Sequence, residues 1–226
     1  MEHRKVSVAL GTGPLRMSQV PMADIVFIID TTGSMDDKIS GLLQSGQNFV
    51  DELGKRHIDW RVAIVSFGDL TVPGDKILAT TFSHSTENIK TLLRNIPRNS
   101  GGGNTGESSF DALLKALSLA GYRDNSIKVF ILMTDEPALQ TQQITAKSVT
   151  EGLKVSGVLT FVISDPVDYY KSIARTTGGT WFQIGSETDF LSVLDVMARR
   201  VSQVVSDVQR LGGGSVQRYL ELASGR

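Results

Sequence analysis

The chain has 226 residues, with 23 lysines and arginines against 24 aspartates and glutamates, a net charge of −1 and no cysteine. That excludes disulfides, zinc–thiolate centres and thiol catalysis, and leaves no chain-wide basic footprint for nucleic acid or anionic lipid. A hydrophobic content of 40% and a charged content of 21% fit one soluble domain able to bury a full core.

Residues 1–22 read as an N-terminal extension punctuated by Gly11, Gly13, Pro14 and Pro21. Its apolar run, Val6 to Leu10, is broken by Ser7 and too short for a signal peptide. No stretch approaches the roughly 20 apolar residues of a membrane-spanning helix, so a cytoplasmic protein is the expectation. Gly11-Thr-Gly13-Pro14-Leu-Arg16 opens like a dinucleotide fingerprint, but Arg16 stands in place of the third glycine and no long buried strand precedes it.

One domain is predicted over residues 23–211. Ile25 to Ile29 form an unbroken, mostly β-branched apolar run, which suits a strand buried on both faces of a parallel sheet. Asp36 and Asp37 then open a helix whose apolar positions, Ile39 to Leu53, keep helical spacing until Gly54 can end it. Trp60 to Phe67 and Leu78 to Phe82 read as the next two strands. Ile89 to Ile96 form a helix stopped by Pro97. After a glycine-rich loop, a helix carries Phe110, Leu113, Leu114 and Leu117, and Lys128 to Met133 is the fourth strand. A helix over Ile144 to Val155 leads to a fifth strand at Val158 to Ile163. Pro166 opens a short helix with Tyr170, Ile173 and Ala174 before the sixth strand, Trp181 to Ile184. Strands alternating with helices imply βαβ units: an α/β, doubly wound, mostly parallel six-stranded sheet with helices on both faces.

The last long helix sets Phe190, Leu194, Met197, Val201, Val204, Val208 and Leu211 in a four-three rhythm. Its first half is expected to dock on the sheet, and past Val201 a projecting end is available for a homodimer. Residues 212–226 read as a glycine-rich linker and a short helical tail, ordered only on binding. His3, His57 and His84 lack ligand spacing and are read as surface residues.

Chemistry gathers in three loops. The first strand ends in Asp30-Thr-Thr32-Gly-Ser34, an acid and hydroxyls around a turn glycine, at the carboxyl end of a buried strand. Oxygen-only side chains there suit hard cations such as Mg²⁺ or Ca²⁺. Alone, Asp-x-Thr-x-Ser reads equally as a strand-end turn with a helix cap. The loop Gly101-Gly-Gly-Asn-Thr105-Gly-Glu107-Ser108 mimics a phosphate loop, but Glu107 sits in the place of the lysine and would repel phosphate. The fourth strand ends in Thr134-Asp135-Glu136-Pro137. Asp69, in Phe67-Gly-Asp-Leu, is read as a surface loop acid, and Glu136 as solvated.

These three loops, in this order, resemble the von Willebrand factor A domain family over about residues 22–211. The stretch Ile173-Ala-Arg-Thr-Thr-Gly-Gly-Thr-Trp-Phe resembles the family's approach to its last strand. The resemblance implies a metal-ion-dependent adhesion site with Asp30, Thr32, Ser34, Thr105 and Asp135 as ligands. Thr32 stands where serine is usual and keeps the hydroxyl. The ion implied is Mg²⁺, with Mn²⁺ or Ca²⁺ as other occupants. The function implied is a non-enzymatic module that captures a partner's aspartate or glutamate on the metal. A metal-dependent hydrolase or phosphotransferase is the alternative from another class, although no histidine or lysine base lies close to the loops in sequence. The resemblance also implies adaptor roles beside AAA+ ATPases or kinases, and the sequence selects none of them.

Overall fold

The computed structural model describes residues 20–98, 106–185 and 187–224. Strand β1 (Met22–Asp30) is buried from Ala23 onward, as a continuous apolar run requires between two helical layers. Around it lie β2 (Asp59–Phe67), β3 (Leu78–Ala79), β4 (Ile127–Thr134), β5 (Val158–Ser164) and β6 (Trp181–Gln183). The order across the sheet is β3-β2-β1-β4-β5-β6, and every neighbouring pair is parallel except β2 with β3. This is the predicted doubly wound α/β sheet. The chain leaves β1 on one side for β2 and resumes on the other at β4. A crevice therefore opens beyond the carboxyl ends of β1 and β4, where the strand order reverses.

Alternation along β1 divides the core. Ala23, Ile25, Phe27 and Ile29 face α1 (Asp36–Lys55), α2 (Thr86–Arg94), α6 (Glu187–Gly212) and α7 (Val216–Ser224). Val26 and Ile28 face α3 (Ser109–Leu117), α4 (Ala146–Val155) and α5 (Asp168–Thr176). Side chains repeat every second residue, so Asp24 and Asp30 fall on this second face, one at each end of the strand.

Four local predictions are revised. The sequence pattern predicts the third strand over Leu78 to Phe82, yet regular pairing covers only Leu78–Ala79. At the next position the Ile64 N–H bonds the Thr80 hydroxyl at 2.9 Å rather than a carbonyl, which interrupts the ladder before the Val62–Ser83 bridge. Gly54 does not end α1. The reversal falls on His57 (φ +54°), with His57 N–H to Gly54 C=O at 2.9 Å and Ile58 N–H to Leu53 C=O at 3.2 Å. That is a Schellman cap with histidine in the position glycine usually takes.

The projecting end of the last helix is corrected as well. Val201, Val204 and Val208 are all fully buried in the core beneath the sheet, so this part of the stripe is covered within the fold rather than projecting. The short tail does not hang free either: α7 folds back after Gly212, burying Val216 and packing Tyr219 and Leu220 on the same core. Its Leu220 closes over the turn before β6, where Gly179 is required because a Cβ would lie 2.0 Å from the Thr160 carbonyl oxygen. No helix among the described residues is long and apolar enough to cross a membrane.

Candidate metal centre

The end of β1 turns on its own acid. Asp30 is fully buried, and its Oδ1 accepts the Thr32 N–H at 2.9 Å and the Thr32 hydroxyl at 2.7 Å, a two-residue Asx turn. Its Oδ2 accepts the Thr134 hydroxyl at 2.6 Å. The sheet register brings this about: Ile28 pairs with Leu132, so two residues on, Asp30 and Thr134 come side by side on the same face.

From there hydroxyls lead outward. Thr32 Oγ1 lies 3.4 Å from Ser34 Oγ, which donates to Asp135 Oδ1 at 3.0 Å. One chain of oxygens thus runs from Asp30 through Thr32 and Ser34 to Asp135, joining the ends of β1 and β4. Asp30 and Thr32 are buried, while Ser34 is exposed and Asp135 half-buried, so the outer half of the path is open to solvent. Four of the five residues singled out by sequence therefore converge. The fifth, Thr105, lies outside the described residues.

Sequence reasoning missed a third carboxyl. Glu107 is 4% exposed, and its Oε2 has no hydrogen-bond partner among the described residues. It is drawn in by a short bridge: Glu107 N–H bonds the Pro137 carbonyl and Leu139 N–H bonds the Glu107 carbonyl, both at 2.8 Å. Gly106 (φ +111°) makes the approach possible, since a Cβ there would sit 3.2 Å from Leu139 Cδ2 and the Pro137 oxygen. Burial, then the charges of Asp30, Asp69, Asp75 and Glu136, push the Glu107 carboxyl up to about 8. In the sequence Glu107 registers only as a misfit in a phosphate loop, because the bridge that buries it joins distant segments.

Asp69 requires a correction, because it is fully buried rather than a surface acid. Its Oδ1 accepts the Thr71 N–H and hydroxyl at 2.7 Å, which fixes the turn after β2. Ser108 ties that turn to the Glu107 segment through Leu70 N–H at 2.9 Å and Gly68 C=O at 3.1 Å.

The two acids of β1 contrast electrostatically. Burial would raise Asp24, but hydrogen bonds from Arg61, from the Arg123 N–H and from Ser126, with the Arg123 charge, hold its carboxyl below the ordinary value. Burial raises Asp30, its hydroxyl and amide partners offset this only in part, and Asp135 adds like charge. Among the described residues, one end of the strand has guanidinium counter-charge and the other has neutral donors alone.

Among the described residues no group of three or more histidine, cysteine, aspartate or glutamate side chains gathers as a metal cluster. The donor set here is different: Asp30 and Asp135 with the hydroxyls of Thr32 and Ser34, and Glu107 alongside on the buried side. Oxygen donors of this kind fit Mg²⁺ or Ca²⁺ and not a thiolate- or imidazole-loving metal. His57 and His84 are exposed; one precedes β2 and the other follows the Val62–Ser83 bridge, both away from the carboxyl end of the sheet.

Comparison with known proteins bears on the same loops. The sequence profile of the von Willebrand factor type A domain matches residues 24–195. The alpha-protein kinase vwkA of Dictyostelium discoideum is 25% identical over 177 residues, which cover 75% of this chain and 28% of that protein. The chain thus corresponds to a minor part of that relative's length.

Proposed function

Because the chain belongs to the von Willebrand factor type A domain family, we propose that it is a non-enzymatic interaction module whose Mg²⁺ site captures an acidic side chain of a protein partner. The observation that carries this reading is the continuous oxygen path from Asp30 to Asp135, buried at one end and open at the other. Asp30, Thr32, Ser34 and Asp135 would hold the ion, with Thr105 as a further candidate from the resemblance. When bound, the ion supplies a Lewis-acidic position for a carboxylate. Asp30 and Asp135 match its charge, while Thr32 and Ser34 add donors without charge, so attraction for a partner's aspartate or glutamate is retained. Asp30 is held in place by the Thr134 hydroxyl on its Oδ2, which fixes the carboxylate's orientation.

One carboxylate contact does not make an interface, and a stable complex covers about 800 Å² on each partner. Leu70, 46% exposed on the loop tied to Ser108, and the exposed Pro137 form the rim that would supply specificity. The kinase-named relative supports a second reading compatible with the first, an adaptor working beside a kinase unit.

Calorimetric Mg²⁺ titration of the wild type, Asp30→Ala and Ser34→Ala tests the site, with circular dichroism to verify folding. Binding by the wild type that both variants lose is expected. Equal binding by folded variants refutes the assignment. Metal-dependent turnover of generic phosphoesters would favour an enzyme instead.

A further inference from the structure

Beneath the two loops that frame the site lie adjacent tyrosines of α5. Tyr170 is fully buried; its phenol donates to the Glu136 carbonyl at 3.1 Å and lies 2.8 Å from Ser109 Oγ. A phenol has one proton, so with that proton on Glu136 the Ser109 hydroxyl is the donor to Tyr170. Tyr169 Oη accepts the Ala138 N–H at 2.7 Å. The rings pack edge to face with each other at 4.7 Å, and Phe110 of α3 meets Tyr169 at 5.4 Å and Tyr170 at 6.3 Å.

Residues 136–138 follow Asp135 directly, and Pro137 and Leu139 form the bridge to Glu107. The segment is therefore pinned from below by two phenol oxygens and from the side by the Glu107 backbone. Ser109 begins α3, the helix that follows the Glu107 segment. The path Ser109–Tyr170–Glu136 thus spans both loops of the site. Phenylalanine would fill the same volume, so the hydroxyls are there for the two backbone groups they satisfy.

We propose that Tyr169 and Tyr170 are positioning residues that fix the spacing between Asp135 and the Glu107 side of the site, so that it favours Mg²⁺ over the larger Ca²⁺. The inference rests on the reading of this site as a Mg²⁺ site. Mg²⁺ demands a near-ideal octahedron at about 2.0–2.1 Å, while Ca²⁺ accepts irregular shells at about 2.3–2.6 Å. A loop freed by a few tenths of an ångström therefore loses its preference for the smaller ion first. Partners that orient ligands in this way typically change metal affinity about 10–100-fold when removed.

The test uses the full chain, titrated separately with Mg²⁺ and Ca²⁺, as wild type, Tyr169→Phe, Tyr170→Phe and Ser109→Ala, with Tyr122→Phe as the matched control. The Tyr122 phenol also bonds a backbone carbonyl, that of Ala116 at 2.7 Å, at the opposite end of α3 from Ser109. Tyr170→Phe should weaken Mg²⁺ at least about 10-fold and Ca²⁺ much less, while Tyr122→Phe leaves the ratio unchanged. In metal-free protein, hydrogen exchange at the Ala138 amide should quicken in Tyr169→Phe. Should Tyr170→Phe fail to fold, Ser109→Ala cuts the same path and must lower the ratio in the same direction. An unchanged Mg²⁺/Ca²⁺ ratio in wild-type-like folded variants, or an equal change in Tyr122→Phe, overturns the positioning role. A wild type that binds neither ion overturns the underlying site reading instead.

Discussion

Replacing Asp24 by alanine is the severest stability test this fold offers away from the site. The carboxylate is fully buried and accepts from Arg61 Nε and Nη2 at 3.0 and 2.9 Å, Arg123 N and Nε at 2.7 and 2.9 Å, and Ser126 Oγ at 2.9 Å. Arg61 and Arg123 are only 23% and 21% exposed, so the substitution takes the buried counter-charge from two largely desolvated guanidinium groups, leaving Arg61 the Gly121 carbonyl and Arg123 the half-exposed Asp59. Breaking a buried pair by removing one partner costs about 3–5 kcal/mol. At roughly 2–4 °C per kcal/mol for a chain of this size, Tm should fall by about 6–20 °C. Urea unfolding followed by circular dichroism measures the loss directly. Six residue steps of strand, about 20 Å, separate Asp24 from Asp30, so the folded fraction should bind Mg²⁺ as the wild type does. Because Asp24 titrates lower in the folded chain than its ordinary 3.8, its stabilisation is complete above that value and is lost as pH falls through the folded one. Asp24→Asn should therefore flatten the acid limb of the stability curve. A loss under about 1 kcal/mol, against the size expected of a broken buried pair, would refute the argument.

Other substitutions probe other links. Glu107→Gln should lower Mg²⁺ affinity about 10-fold, as loss of a neighbouring carboxyl does in metal sites, and leave metal-free stability equal or higher, because a buried acid whose Oε2 has no hydrogen-bond partner among the described residues is replaced by a neutral amide; calorimetry and melting read the two effects separately. His57→Gly should raise stability by about 0.5–1 kcal/mol by relieving the left-handed cap, seen as a Tm rise of a few degrees. Val208→Asp, placing a charge in the closed core, should unfold the chain or cost at least about 3 kcal/mol. If the end of α6 projected instead, the variant would melt like the wild type and change only its sedimentation.

The legible parts of the sequence were those set by local pattern. An apolar run ending in Asp30 fixes a buried strand and the loop at its tip, and the order of acid-bearing loops places them at the strand reversal. The four-three rhythm of α6 is ambiguous by nature, since packing on a sheet and packing on a second helix use the same spacing; Val204 and Val208 are resolved only by what lies opposite them. The burial of Asp69 and Glu107 is illegible in the sequence for a related reason. Each is buried by segments remote in sequence, Glu107 by the Pro137–Leu139 bridge and Asp69 within a turn sealed by Ser108. Tyr169 and Tyr170 look like ordinary helix residues until their phenols are found under residues 136–138.

β1 is a rod with a carboxylate at each tip, and among the described residues only the Asp24 tip carries permanent cationic neighbours. Under the proposed function the other tip borrows its neutralising charge from solution. Adhesion then follows the ambient supply of divalent ions, and a chelator would release the partner while the anchored end keeps the sheet intact.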